Sequence, residues 1–262
     1  MGNIAAGFLY LRLSLSQAMI VADRLIGYSK SMTGNATTIG RSRQMPAEAI
    51  MTFFAKLAEI DPAPRTELAF SNQFTLLVAV VLSAQATDIG VNKATKTLFK
   101  LADTPEKMVA LGETKIRQEV KTIGLYRNKA KNVFALSKAL IEQYGGDVPR
   151  DMEALVALPG VGRKTANVVM NEAFDVATFA VDTHVYRLSN RTGLAPGKTV
   201  LDVEKKLDKK VPDPYRMHAH HWLILHGRYV CVARKPKCGN CIVYEECRFK
   251  DKAKIAEAGG NN

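Results

Sequence analysis

The stretch LPGVGRKTANVVMNEAFDVATFAVDTH, residues 158–184, decides how this chain is read. Pro149 stands where the first residue of a helix tolerates a missing N–H, and Met152, Leu155 and Val156 follow at helical spacing, so a short helix is expected from Pro149 until Pro159 stops it. Gly160 and Gly162 then allow positive φ and let another molecule approach the backbone closely. A second helix is expected from about Arg163, and its free N–H groups and dipole make the turn a site for a phosphate. Lys164 lies one position inside that helix. Eighteen residues later, across the apolar segment 176–181, stands Asp182. A fold that returned the chain would face an amine nucleophile with a carboxylate, as in Schiff-base catalysis, where the lysine reacts as the free amine. Taken alone, Lys164 reads equally as a surface lysine and Asp182 as a helix cap. The glycine turn beside them weights the nucleophilic reading.

Length and charge set the frame around that stretch. The chain has 262 residues, enough for one large domain or two lobes with a real core. A formal net charge of +12 points to a polyanionic partner, with nucleic acid ahead of an acidic membrane surface. No apolar run reaches the length of about 18 residues that a membrane span needs. All four cysteines, Cys231, Cys238, Cys241 and Cys247, fall in one short segment with the pattern C-x6-C-x2-C-x5-C. Such crowding reads as a metal site rather than a disulfide framework, and the spacing leaves a zinc ion and a [4Fe–4S] cluster equally open. Arg234, Lys235 and Lys237 fill the loop between the first two cysteines, either as phosphate contacts or as a solvated basic loop.

The remaining segments read as helices. Residues 1–44 carry Arg12, Arg24, Lys30, Arg41 and Arg43 against one acid, Asp23, which fits an organellar transit peptide or a start codon placed too far upstream; irregular chain or a loose helix is expected there. A helical pattern runs from Pro46 through Ile50, Phe53, Phe54 and Leu57. Ser71 and Asn72 then cap an apolar run, 74–82, that is expected to be a buried helix ending at Gln85 and Asp88. Gln85 is a solvated loop residue or a reader of a base edge. Further helices are expected over 91–101, 105–111 and 115–122. Ile123-Gly124-Leu125-Tyr126 then leads into a long helix with Ala130, Val133, Ser137 and Leu140 on one face. Leu125 at that tip is expected to be exposed, as an ordinary surface residue or as a wedge for a base stack. His218, His220 and His221 invite a zinc reading, but no carboxylate or cysteine in their own helix stands at ligand spacing, so core packing and hydrogen bonding are expected.

The motifs LPGVGRKTAN, AVDTH, HHWLILHGRYVC and the four-cysteine pattern, with LLVAVVLSAQATD and TIGLYRNKA, closely resemble the bacterial endonuclease III family of the helix-hairpin-helix DNA glycosylase superfamily. The resemblance runs from about residue 46 to 252 and has no counterpart for residues 1–44. It implies an all-α, two-lobed fold: a six-helix barrel with the helix-hairpin-helix over 69–179, a second lobe from 45–68 and 180–252, and a tail over 253–262. It implies a structural [4Fe–4S] cluster on Cys231, Cys238, Cys241 and Cys247. Lys164 matches the catalytic lysine and Asp182 the catalytic aspartate, while Gln85 and Leu125 match residues that fill the gap left by a flipped base. Gly160, Gly162, Arg163 and His184 are read as further DNA contacts. The implied activity is a bifunctional DNA glycosylase and AP lyase of base excision repair, which removes oxidised pyrimidines through a lysine Schiff base and cuts 3′ to the abasic site by β-elimination. For this the lysine must lose its proton near neutral pH, and partial burial with a nearby cation such as Arg163 is the expected means. The implied partner is double-stranded DNA with an oxidised pyrimidine or abasic site, met by a monomer with no membrane. The implied place is the bacterial cytoplasm at the nucleoid, or the mitochondrion if residues 1–44 are a transit peptide. Two alternatives stand beside this reading: a monofunctional adenine-type glycosylase, against which Lys164 argues, and a non-catalytic DNA-binding module stapled by a metal.

Overall fold

The computed structural model describes residues 44–259, and the reading of the extension over 1–43 lies outside the described residues. The described residues form helices and no strand: α1 Ala47–Ile60, α2 Gln73–Ser83, α3 Asp88–Leu101, α4 Pro105–Leu111, α5 Glu113–Glu119, α6 Tyr126–Tyr144, α7 Met152–Ala157, α8 Arg163–Phe174, α9 Thr183–Thr192, α10 Val200–Lys210, α11 Arg216–Tyr229 and α12 Lys252–Gly259. The all-α expectation holds.

Every residue of α2 from Phe74 to Leu82 is buried, so this helix is apolar on all sides and sits at the centre of a first core. Asn72 starts it through a capping box: its side chain accepts from the Thr75 N–H, and the Thr75 hydroxyl accepts from the Asn72 N–H. Val91, Leu98, Met108, Ile116, Val133, Leu140, Leu155 and Val169 surround it. Seven helical segments, α2 to α8, contribute to this core, and Gly112 at φ +80° ends α4 and starts α5, between the stretches 105–111 and 115–122 expected as separate helices. Each leucine fully buried here contributes about 1.5–3 kcal/mol.

A second core joins the two ends of the described chain. Ile50, Phe53, Phe54 and Leu57 of α1 pack with Val181, Val185, Leu188, Leu207, Trp222 and Leu223. Phe54 stacks on Tyr215 at 6.0 Å, and the Trp222 indole N–H donates to the Asp61 carbonyl at 2.7 Å. α8 lies between the cores. Its Ala166, Val169 and Met170 belong to the first, while the Asn167 and Asn171 amides donate across to the carbonyls of Phe179 and Met217, at 3.4 and 3.2 Å.

Three local expectations change. The helix before the glycine turn begins at Met152 rather than Pro149, because the Asp151 carboxylate accepts from the Ala154 N–H at 2.8 Å and fixes the start there. It ends at Ala157, with Leu158 extended as a residue before proline must be. Only Gly160 has positive φ, at +77°; Gly162 is extended at −96° and caps α8. A Cβ at Gly160 would lie 2.8 Å from the Asn132 side chain on α6, whereas one at Gly162 would meet nothing within 4 Å. Finally, residues 252–259 form a helix rather than a plain tail, with Ala256 packed beside Gly239.

Gly160→Ala therefore lowers the unfolding free energy by about 1–3 kcal/mol through backbone strain. Gly162→Ala stays within about 0.5 kcal/mol. Urea unfolding followed by circular dichroism separates the two, and equal losses would remove the distinction between them.

Candidate active site

Gly162 caps α8 without a side chain, so the first N–H groups of that helix are open at the turn, and Lys164 leaves from its second residue. Asp182 starts α9. Its Oδ1 accepts from the backbone N–H of His184 at 2.8 Å and of Val185 at 2.9 Å, placing a negative charge at the positive end of the helix. The other oxygen, Oδ2, faces Lys164 Nζ at 3.9 Å, an ion pair just beyond hydrogen-bonding distance. Cap and lysine partner are the same carboxylate. The Lys164 side chain is 56% exposed and that of Asp182 12%, so the amine is open to a substrate while the carboxylate is held from behind.

The pair opens into a cavity whose wall includes Ser83, Asp88, His220, His221 and Arg228. Arg228 of α11 ties Asp88, at 2.7 Å, to Glu67, and the Tyr229 hydroxyl donates to Glu67 at 2.9 Å. His221 Nε2 meets Glu172 Oε1 of α8 at 2.5 Å, both nearly out of contact with water. His220 lies against His221 with ring centroids 5.2 Å apart. Burial first, then the charges of His221 and Lys164, push the His220 proton affinity well below the ordinary histidine range. The expected packing role of these histidines holds for His220 and His221. The carboxylate partner was missed because it comes from α8, about fifty residues upstream. Among the described residues no three His, Cys, Asp or Glu side chains group around a single metal ion.

Arg163 is not a free cation beside Lys164, contrary to the expectation. Its guanidinium is held by Glu204 of α10, with Nε at 3.0 and 3.2 Å from the two carboxylate oxygens and Nη2 at 2.7 Å. Consecutive residues on a helix point about 100° apart, so adjacency in sequence did not put the two charges together. Gln85 and Leu125 both hold left-handed backbone, at φ +54° and +58°, which is costly for residues other than glycine. A Cβ on Gly124 would lie 3.8 Å from the Gln85 carbonyl, so the two loops are neighbours, and Leu125 is 57% exposed. His184 is half-buried, with Nδ1 3.4 Å from Arg187 Nη2; burial lowers its proton affinity, against the opposing pull of Asp182.

The four cysteines line a separate pocket with Arg191, His226, Val243 and Phe249. Arg191 Nη1 donates to Cys231 Sγ at 3.5 Å, and His226 Nε2 stands 3.5 Å from Cys241 Sγ. Burial pushes the Cys241 thiol up to about 12 and raises those of Cys238 and Cys247 as well. Thiolates in such a place require a cationic centre, and four of them around one pocket fit an iron–sulfur cluster.

The family model for HhH-GPD superfamily base excision DNA repair proteins matches residues 78–213, and that for the iron–sulfur binding domain of endonuclease III matches residues 231–247. Endonuclease III of Escherichia coli K12 is 55% identical over 205 residues, which are 78% of this chain and 97% of that protein. The chain belongs to the endonuclease III family. Endonuclease III of Haemophilus influenzae is 54% identical over 76% of this chain and 95% of its own length. A non-covalent endonuclease III–DNA complex superposes with a TM-score of 0.75 at 44% identity, covering 82% of this chain and all of the other. A trapped covalent endonuclease III–DNA intermediate gives 0.74 at 44% identity, covering 80% and 99%. The protein is thus a base excision DNA repair protein, and the choice between zinc and [4Fe–4S] falls to the cluster. No described helix is long and apolar enough to cross a membrane.

The buried His220 gives a pH signature. Unfolded, it binds a proton below about pH 6.5; folded, it resists. Proton uptake then favours unfolding, so its contribution is intact above that pH and is lost as the pH falls toward the depressed folded value. The thermal unfolding midpoint is expected to drop between about pH 7.5 and 5.5, and to drop less in His220→Gln; equal drops would assign the loss to other groups.

Proposed function

We propose that this chain is a bifunctional DNA glycosylase and AP lyase that excises oxidised pyrimidines from duplex DNA, with Lys164 as nucleophile and Asp182 as its carboxylate partner. The observation that carries the reading is the 3.9 Å approach of Lys164 Nζ to an Asp182 oxygen left free by the α9 cap. The target nucleotide leaves the stack, since C1′ is out of reach inside a duplex. Asp182 helps remove a proton from Lys164. The free amine attacks C1′, the glycosidic bond breaks, and the base departs with the bonding electrons while Asp182 stabilises positive charge on the sugar. Displacement of the base leaves the lysine nitrogen on C1′; the C1′–O4′ bond then breaks, O4′ taking up a proton, to give a Schiff base that acidifies C2′–H, and loss of that proton expels the 3′ phosphate before water releases the lysine.

The other roles follow. Gly160, Gly162 and the open N–H groups of α8 hold a phosphate. Gln85 and Leu125 fill the space left by the flipped nucleotide, and their left-handed backbone is the kind of strain that gathers at working sites. His184 sits at the same helix start as Asp182, within reach of the DNA backbone, whereas Arg163, expected as a further DNA contact, is engaged by Glu204. Cys231, Cys238, Cys241 and Cys247 hold the [4Fe–4S] cluster, which supplies a fixed cationic centre bracing the C-terminal segment. The two apolar cores are the two lobes, and the enzyme acts as a monomer in the bacterial cytoplasm, on nucleoid DNA.

Lys164→Ala is expected to abolish both strand cleavage and borohydride trapping on an oxidised-pyrimidine duplex while still binding it; undiminished trapping would take Lys164 out of the mechanism. Asp182→Asn keeps the cap geometry and slows base release by about 100-fold or more, and wild-type release would end its role. With a charge of +12 on the chain, affinity should fall by about a thousandfold or more between 50 and 200 mM salt. A flat salt response would contradict phosphate-led binding.

A further inference from the structure

Lys164 and Asp182 belong to different cores. Lys164 rides on α8, whose Ala166, Val169 and Met170 pack into the first, while Asp182 sits between Val181 and Val185 of the second. Their separation is therefore set by how α8 lies against the second core. Besides its apolar stripe, α8 carries a polar one at positions i, i+4 and i+8: Arg163, Asn167 and Asn171. Each of the three reaches across. Asn167 and Asn171 donate to backbone carbonyls at 3.4 and 3.2 Å, and Arg163 engages Glu204 through two nitrogens.

The Arg163 tie is the one beside the lysine. Asn167 and Asn171 hold the helix one and two turns further on, and the first turn has no side-chain cap of its own. Glu204 is itself firmly seated, since its side chain is only 13% exposed and its neighbours Val203 and Leu207 are fully buried in the second core. A forked guanidinium on a carboxylate resists rotation as well as separation, which a single point charge does not.

We infer that Glu204 is a positioning residue, which through Arg163 fixes the first turn of α8 on the second core and so sets Lys164 at its working distance from Asp182. The inference rests on the lysine–aspartate reading proposed above. It competes with a simpler role in which Glu204 only masks an arginine that would otherwise bind a DNA phosphate. The two differ in what they do to chemistry and to affinity. A lost clamp misplaces the nucleophile, and small misplacements cost up to about 100-fold in rate. A lost mask frees one cation, which tightens binding and steepens the salt dependence by about one phosphate contact.

The test uses full-length protein with its cluster, as wild type, Glu204→Gln, Arg163→Lys and Lys164→Ala. Single-turnover base release, borohydride trapping, affinity for an uncleavable abasic-analogue duplex and the melting midpoint are measured for each. The clamp predicts base release and trapping slower by about tenfold or more in both Glu204→Gln and Arg163→Lys, with affinity within about twofold of wild type and an unchanged salt slope. Arg163→Lys is the decisive variant, because it keeps the charge and removes only the fork. Wild-type rates in both variants overturn the inference, as does tighter binding with a steeper salt slope in Glu204→Gln. Trapping by Lys164→Ala would instead overturn the underlying reading; its loss, with the Glu204 and Arg163 variants at wild-type rate, overturns the clamp alone.

Discussion

The carboxylate of Asp182 is the interaction on which the site depends. One oxygen is spent on two backbone N–H groups of α9, and this fixes the direction of the other toward Lys164. A free aspartate on a loop would sample many rotamers; this one is oriented by the same hydrogen bonds that start a helix. In the mechanism proposed for this site, the group that caps α9 is also the partner of the nucleophile, so one carboxylate would serve both stability and chemistry.

What presents the lysine to it is α8, with its two stripes. Burying the apolar stripe supplies the energy, at about 1.5–3 kcal/mol for each large side chain. The polar ties contribute less: about 0.5–1.5 kcal/mol for a hydrogen bond and about 0–1 kcal/mol for an ion pair as exposed as Arg163 with Glu204. Their value lies in direction. A hydrophobic contact is tolerant of small slides, while hydrogen bonds with fixed geometry pin the helix against the second core. Apolar packing makes the lobes, and a short row of polar contacts sets how they meet.

The surroundings of the pair follow the same division. Arg228 joins Asp88 and Glu67 along the cavity wall, and His221 of that wall is held from behind by Glu172 of α8. The cysteine segment is held differently. It has few apolar residues of its own, and Arg191 and Lys252 brace it by hydrogen bonds to Cys231 Sγ and the Cys247 carbonyl. The cluster replaces the core that so short a segment cannot build.

Much was legible in the sequence, for local reasons. Apolar periodicity and capping residues marked the helices, including the buried run after Asn72, because helix formation reads patterns three and four residues apart. The glycine turn, the lysine one step inside a helix and the four crowded cysteines were equally visible, since each depends on neighbours in the chain. The start at Met152 was missed because an Asp151 cap outweighs an upstream proline, and Gly162 was overread because a glycine's freedom does not say which φ it takes. Everything joining distant segments came only with the tertiary structure: Glu204 on Arg163, Glu172 on His221, and the choice of which Asp182 oxygen caps and which faces the lysine. By itself the sequence determined the helices, the family and the chemical types at the site. The tertiary structure decided their pairing, because contacts between residues forty or more apart obey the packing of two cores, which no local pattern records.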